Sequence, residues 1–371
     1  MFPRTTLTAI VAIAAGAPLA TSVTAQDFDL DAMIEAARAE PPLVVYDNTS
    51  RVVEMAEAFA EEFGLEAEGV KISTEQQVEL VLREAAAGAV QGDVVALADV
   101  PSGMLEVLPA GALESWLPPD LADVIPSEFQ DPLVLNYDAK VFVYNTGADE
   151  ACPIDNIWDL TEPEMAGRVA LQDPLNTPGF IDFFNQMALQ ADDAVAAAYE
   201  AHTGEPLETD EDSATAAWVS ALAANGPLLT ESDQAVSDAV GAPGQTEGLV
   251  GIVATAKFRD NEGLGYQLGL CDAVEPVVGF AQPKLILISP GTDSPNAARL
   301  YVHYVMTPEG LMPQTIDGKM PVNTTAELPA DEPSGVEAIR DDLLFFDAAT
   351  AGEDLDSRQD WQDLWRLSYV R

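Results

Sequence analysis

An apolar run, Leu43-Val44-Val45-Tyr46, ends in Asp47-Asn48-Thr49-Ser50-Arg51, and an amphipathic stretch begins at once. Two hydroxyls and a guanidinium at a helix start could hold a small anion. The first N–H groups of a helix have no partner within it and carry roughly half a positive charge. An arginine there can fork onto a phosphate or carboxylate. The same residues can equally be an ordinary cap, with Arg51 pairing to Glu54 or Glu57 on the surface. Three more junctions share the pattern. Thr74-Glu75-Gln76-Gln77 follows a second apolar run and matches the S/T-x-x-Q capping box. Asn176-Thr177-Pro178 places a cap and a first-turn proline after the run 168–174, and Ser232-Asp233 follows the run 226–229. Two or three such starts turned into one cleft would make an anion site from few cations.

Motifs of catalysis do not accompany them. The sequence holds no G-x-S-x-G and no H-E-x-x-H. Its two histidines, His202 and His303, and two cysteines, Cys152 and Cys271, are too scattered to read as a zinc site. The acidic run 208–213 lacks the alternating ligands and the glycine of a calcium loop and reads as a solvated helix start. The expectation is a binding protein, not an enzyme, with no metal and no cofactor.

The elements that must position these junctions alternate. Strands are predicted at 43–48, 69–74 and 93–99, with helices at 51–63 and 76–87 closed by Gly64 and Gly88. This is an α/β pattern with a parallel sheet, and any ligand belongs at the carboxyl ends of its strands. A proline-rich passage at 116–133 interrupts it. A strand at 140–147 then leads to a second α/β region, with helices near 178–190, 192–203 and 211–225. After that come a strand at 284–291 and one helix over 294–310, capped by Ser294 with Pro295 in its first turn. Two lobes with two crossings describe a clamshell. Lobe 1 takes 26–142 plus 284–371 and lobe 2 takes 147–275. The hinge falls near 142–146, at Tyr144 and Asn145, and near 276–286, and ligand would be buried by closure.

Charge narrows the partners. Sixteen Lys and Arg face 63 Asp and Glu, a formal charge of −47, which repels nucleic acid and anionic membrane. Arg4, the apolar run 7–20 and Val23-Thr24-Ala25 read as a secretory signal peptide over residues 1–25, and no later run is long enough to insert in a bilayer. The mature protein is expected outside the cytoplasm, in the periplasm, as a monomer. In that oxidising compartment one Cys152–Cys271 disulfide is expected, with two buried thiols as the alternative.

The stretches 43–64, 92–100, 141–147, 157–174 and 285–310 together resemble the periplasmic solute-binding proteins of ABC importers, family 1, in the ferric-binding-protein branch. The likeness covers nearly all of the mature chain. It implies a type II periplasmic-binding fold, no catalysis, and delivery of a small solute to an ABC permease in the inner membrane. Iron-binding members carry adjacent tyrosines that should fall near 251–261, where this chain has Ala254-Thr255-Ala256-Lys257-Phe258. Phenolates suit ferric iron, so their lack leaves iron as an alternative that needs another ligand set. The stretches 47–51, 329–336 and 358–367 are closer to members that bind hexose phosphates. A phosphorylated sugar is then the implied ligand. Thr49, Ser50 and Arg51 would hold its phosphate, with Thr74 at the neighbouring start. Asn176, Thr177, Ser232 and Asp233 would meet it from the other lobe. Asp233 and Glu75 would accept sugar hydroxyls, and Thr255 stands at the position of the family's ligand residue.

Overall fold

The computed structural model describes residues 28–369, so the expected signal peptide lies outside the described residues. Helix α1 (Leu30–Ala37) opens the chain, capped by the Asp29 carboxylate. β1 (Leu43–Asp47), β2 (Ala67–Lys71) and β3 (Val94–Leu97) are parallel, in the order β2-β1-β3. Between them run α2 (Arg51–Phe63) and α3 (Thr74–Ala87), and α4 (Val100–Ser102) follows β3. Val52, Met55, Ala56 and Phe59 bury one stripe of α2, as their helical spacing requires. Gly64 and Gly88 stop α2 and α3 at φ +67° and +60°, a left-handed turn that a Cβ resists.

β4 (Val134–Asn145) then leaves this half. The second half repeats the plan. β5 (Val169–Gln172), β6 (Leu228–Thr230) and β7 (Val250–Ala254) run parallel in the order β7-β5-β6. Around them lie α5 (Pro178–Thr203), α6 (Ala214–Ala224), α7 (Asp233–Gly241) and the short α8 (Asp260–Gly263), with β8 (Leu268–Leu270) on the end of β4. The two helices expected at 178–190 and 192–203 are one, because no glycine or proline separates them. β9 (Gly279–Ile288) returns. β4 pairs with β9 from Val134 to Val141 and with β7 from Lys140 to Tyr144, so one curled sheet runs through both halves. The expected single helix over 294–310 is two, α9 (Pro295–Val305) and α10 (Pro308–Thr315). Thr307 restarts the chain by capping Gly310 N, with Pro308 in the new first turn.

The last helix, α11 (Ala351–Ser368), goes elsewhere than chain order suggests for residues 284–371. It packs on α5 and α6 of the second half and reaches back to α4 of the first. Its apolar anchors, Trp361 and Trp365, meet Phe184. Its polar anchor is Arg358, which donates to Asp182 Oδ1 and Oδ2 (2.8 Å each) and to Asp99 Oδ1 (2.7 Å). Buried Asp354 sits beside this set on Asn185 and Gln186. Cys152 and Cys271 form the disulfide, bridging the exit of β4 to the end of β8 across 119 residues.

Three buried carboxylates around one guanidinium leave excess negative charge. Burial first, with Asp99 and Asp354 nearby, pushes the Asp182 carboxyl up to about 7 despite its bonds to Arg358. A carboxyl raised in the folded state stabilises fully below about pH 4, and that contribution is lost as pH rises through about 7. Wild type should therefore lose stability relative to Asp182→Asn between about pH 4 and 7, as read by urea unfolding. Parallel pH profiles for the two proteins would contradict this.

Candidate functional site

The carboxyl ends of all six parallel strands open on one cleft of about 610 Å³ between the halves. β1 delivers Asn48, Thr49 and Ser50, β2 delivers Lys71, Ser73, Thr74 and Glu75, and β3 delivers Asp99. From the other side β5 brings Gln172 and Thr177, β6 brings Glu231 to Gln234, and β7 brings Lys257 and Arg259. The floor is made by β4 and β9, through Asp138, Lys140, Gln282 and Lys284, with Lys319 behind them. This is the crevice position expected of open parallel sheets, doubled by the second half.

Four helices of eight residues or more start here, and three of their hydroxyl caps are unspent. Ser50, Ser73 and Thr177 precede α2, α3 and α5 without bonding their own helices. Away from the cleft, Ser213 and Thr307 do cap theirs, as does Ser232 at the start of α7. The start of α5 presses close on the floor: a Cβ on Gly179 would lie 2.5 Å from Gln282 Oε1.

Every lysine of the chain lines this cleft: Lys71, Lys140, Lys257, Lys284 and Lys319. With Arg259 they make six cations against five carboxylates in the lining, on a protein of formal charge −47. Three are matched singly with carboxylates. Lys140 Nζ donates to Asp233 (2.8 Å) and to Gln172 Oε1 (2.9 Å). Lys284 Nζ, buried, donates to Asp47 (2.8 Å) and Asn48 Oδ1 (2.6 Å). Lys319 Nζ donates to Asp138 Oδ2 (2.8 Å). Burial works against the charge on Lys319, but Asp138 beside it, helped by Asp47, holds the ammonium above its usual range. For Lys284 burial prevails and lowers it. Lys257 reaches Gln234 Oε1 (2.8 Å), and Lys71 is exposed at the end of β2.

Among the residues the sequence singled out, Thr49, Ser50, Thr74, Glu75, Thr177, Ser232 and Asp233 line the cleft. Arg51 has another partner. Its Nε and Nη2 fork onto the buried carboxylate of Asp317 (2.9 and 2.8 Å), and Nη1 takes Glu54 (2.6 Å). Arg259, from the second half, binds the same Asp317, and Thr255 Oγ1, fully buried, donates to Asp317 O (3.1 Å). Asp317 thus clasps the two halves beside the cleft, with Arg51 and Thr255 in the clasp. Asn176 Nδ2 faces Asp173 Oδ2 (3.0 Å) in its own turn. Tyr144 and Asn145 lie on β4 beyond its last pairing with β9 at Val141, where Asn145 Nδ2 ties to Val240 O (2.7 Å). Before that point β4 pairs with β9 through Ala139–Val141 and Gly279–Ala281. The lysines, Asp138 and Gln282 were missed by motif, yet a signal existed: five lysines in 371 residues is scarce enough to question each one.

The family profile of bacterial extracellular solute-binding proteins matches residues 54–338. No curated protein matches the sequence. Among solved structures, iron-bound HitA from Pseudomonas aeruginosa is 16% identical with a TM-score of 0.66, covering 89% of this chain and 99% of that one. The periplasmic binding protein AfuA from Actinobacillus pleuropneumoniae, with fructose-6-phosphate bound, is 19% identical with a TM-score of 0.63, covering 88% and 99%. The ferric binding protein from Campylobacter jejuni is 14% identical with a TM-score of 0.65, covering 89% and 100%. These likenesses establish the two-lobe clamshell fold.

The clasp predicts a separation of effects. Arg51→Met should lower stability by about 2–3 kcal/mol, because Asp317 stays buried with one guanidinium fewer. Solute affinity should change by no more than about threefold. Denaturant unfolding and calorimetry check the two, and lost affinity at unchanged stability would return Arg51 to the site.

Proposed function

The chain belongs to the bacterial extracellular solute-binding proteins, and from that premise we propose that it captures a small anionic solute, a phosphorylated sugar, in the cleft between its lobes. It is a solute-binding protein of an ABC transporter, not an enzyme, and its partner is the permease that receives the solute. The lobes of this reading meet at β4 and β9, about which closure would bury the guest. Thr49, Ser50, Thr74 and Glu75 approach from one lobe, and Thr177, Ser232 and Asp233 from the other.

The carrying observation is that all five lysines line this one cleft of a strongly acidic protein. Its volume falls within the roughly 300–1,000 Å³ of small-molecule sites. Free cap hydroxyls and first-turn N–H groups add donors around an anion. Carboxylates and amides between the lysines suit sugar hydroxyls. Ferric iron asks for several free hard oxygens, whereas Asp138 and Asp233 here each hold a lysine. Long-range repulsion from the acidic surface is screened within about 10 Å in salt, and hydrogen bonds inside the cleft are not.

The test is a thermal-unfolding screen of the mature protein with fructose 6-phosphate, inorganic phosphate and ferric citrate. A phosphorylated sugar at a hundred times its dissociation constant should add about 2.7 kcal/mol, and Lys140→Met should abolish most of that gain. Stabilisation by ferric citrate with none from the sugar phosphate would overturn the reading in favour of iron.

A further inference from the structure

Charge matching inside the cleft sorts its cations into two groups. Lys140, Lys284 and Lys319 on the floor are each held by one carboxylate, Asp233, Asp47 and Asp138 respectively. Arg259 belongs to Asp317. Lys71 and Lys257 remain, with no carboxylate in ion-pair reach among the described residues. They stand on opposite lobes, Lys71 at the end of β2 and Lys257 after β7. Burial lowers the Lys257 ammonium; Asp260 and Asp233 nearby partly offset this, and Arg259 and then Lys71 act against it by like-charge repulsion.

At the inner end the chemistry is reversed. Asp138 has one oxygen on Lys319, while its Oδ1 is buried with no hydrogen-bond partner. A buried carboxylate oxygen without a donor is costly and is relieved by a hydroxyl. Asp233, which accepts from Lys140 Nζ, lines the same cleft. A second phosphate placed there would meet lysines already matched by Asp138 and Asp233 and would find no unmatched positive charge.

Building on the proposed sugar phosphate, we infer that the guest binds in one orientation and carries its charge at one end. Its phosphate sits between Lys71 and Lys257, and its hydroxyls point inward to Asp138 and Asp233. A phosphate monoester bears nearly two negative charges at neutral pH, which two unmatched ammonium groups neutralise. The anion replaces repulsion between the lobes with a bridge, so binding and closure are one event. The cleft therefore selects monophosphorylated sugars and rejects both bisphosphates and bare sugars.

Calorimetry of wild type, Lys71→Met and Lys257→Met with fructose 6-phosphate and fructose 1,6-bisphosphate tests this. Wild type should prefer the monophosphate by about tenfold or more, and each variant should lose about 10- to 100-fold in monophosphate affinity. Thermal unfolding of the free variants should stay close to wild type, because neither lysine is ion-paired and Lys257 gives up only its bond to Gln234 Oε1. Asp138→Asn should narrow the gap between the two ligands. Variants that bind the monophosphate like wild type, or a bisphosphate bound as tightly, would overturn the orientation while leaving the sugar-phosphate reading in place. Wild type that binds neither compound would overturn both.

Discussion

The structure depends on gathering its few lysines into one cleft of a molecule that is otherwise acidic, two of them fully buried. Five ammonium groups line one cleft. Moving such a group from water into a protein costs several kcal/mol unless charge and hydrogen bonds compensate. Asp47, Asp138 and Asp233 supply that compensation for the floor lysines, with Asn48 and Gln172 completing their hydrogen bonds. The resulting array is fixed before any guest arrives. A neutral polar guest fits between its paired charges, and a net anion fits where pairing stops.

The fold exists to hold that array in register. Parallel strands must end on one edge, and two three-stranded parallel groups facing each other put six such ends around one space. Helix starts come with them without any added cost in cations, because each parallel strand feeds a helix. Two devices then tie the halves behind the cleft. Asp317 takes Arg51 from one side and Arg259 from the other. Arg358, on the final helix, joins Asp99 of the first half to Asp182 of the second. Both are arginine–carboxylate forks, whose planar geometry fixes direction as well as distance.

Much of this was legible in the sequence. The run at 43–46, the periodic stretch after it and the stop at Gly64 specify a strand and helix by local rules, and β1 and α2 follow them. The hydroxyl-bearing junctions pointed to the cleft because parallel topology makes every strand–helix junction a candidate. The partners of Arg51 were not legible, since Asp317 lies 266 residues away and only the folded chain brings the two together. For the same reason the final helix looked like part of the first lobe until its tryptophans met Phe184. The lysines carry no motif because they come singly from different strands. Their scarcity was the available signal: a surface that favours Asp and Glu sheds lysine, so a lysine that remains marks a place that needs positive charge.

The most direct measurement is differential amine labelling of the mature protein, with lysine reactivity read by mass spectrometry in the presence and absence of fructose 6-phosphate. The account predicts that the sugar phosphate protects Lys71 and Lys257 strongly, while Lys284 and Lys319, already buried, stay slow in both states. Labelling of Lys71 and Lys257 that proceeds unchanged while calorimetry registers a bound sugar phosphate would contradict it.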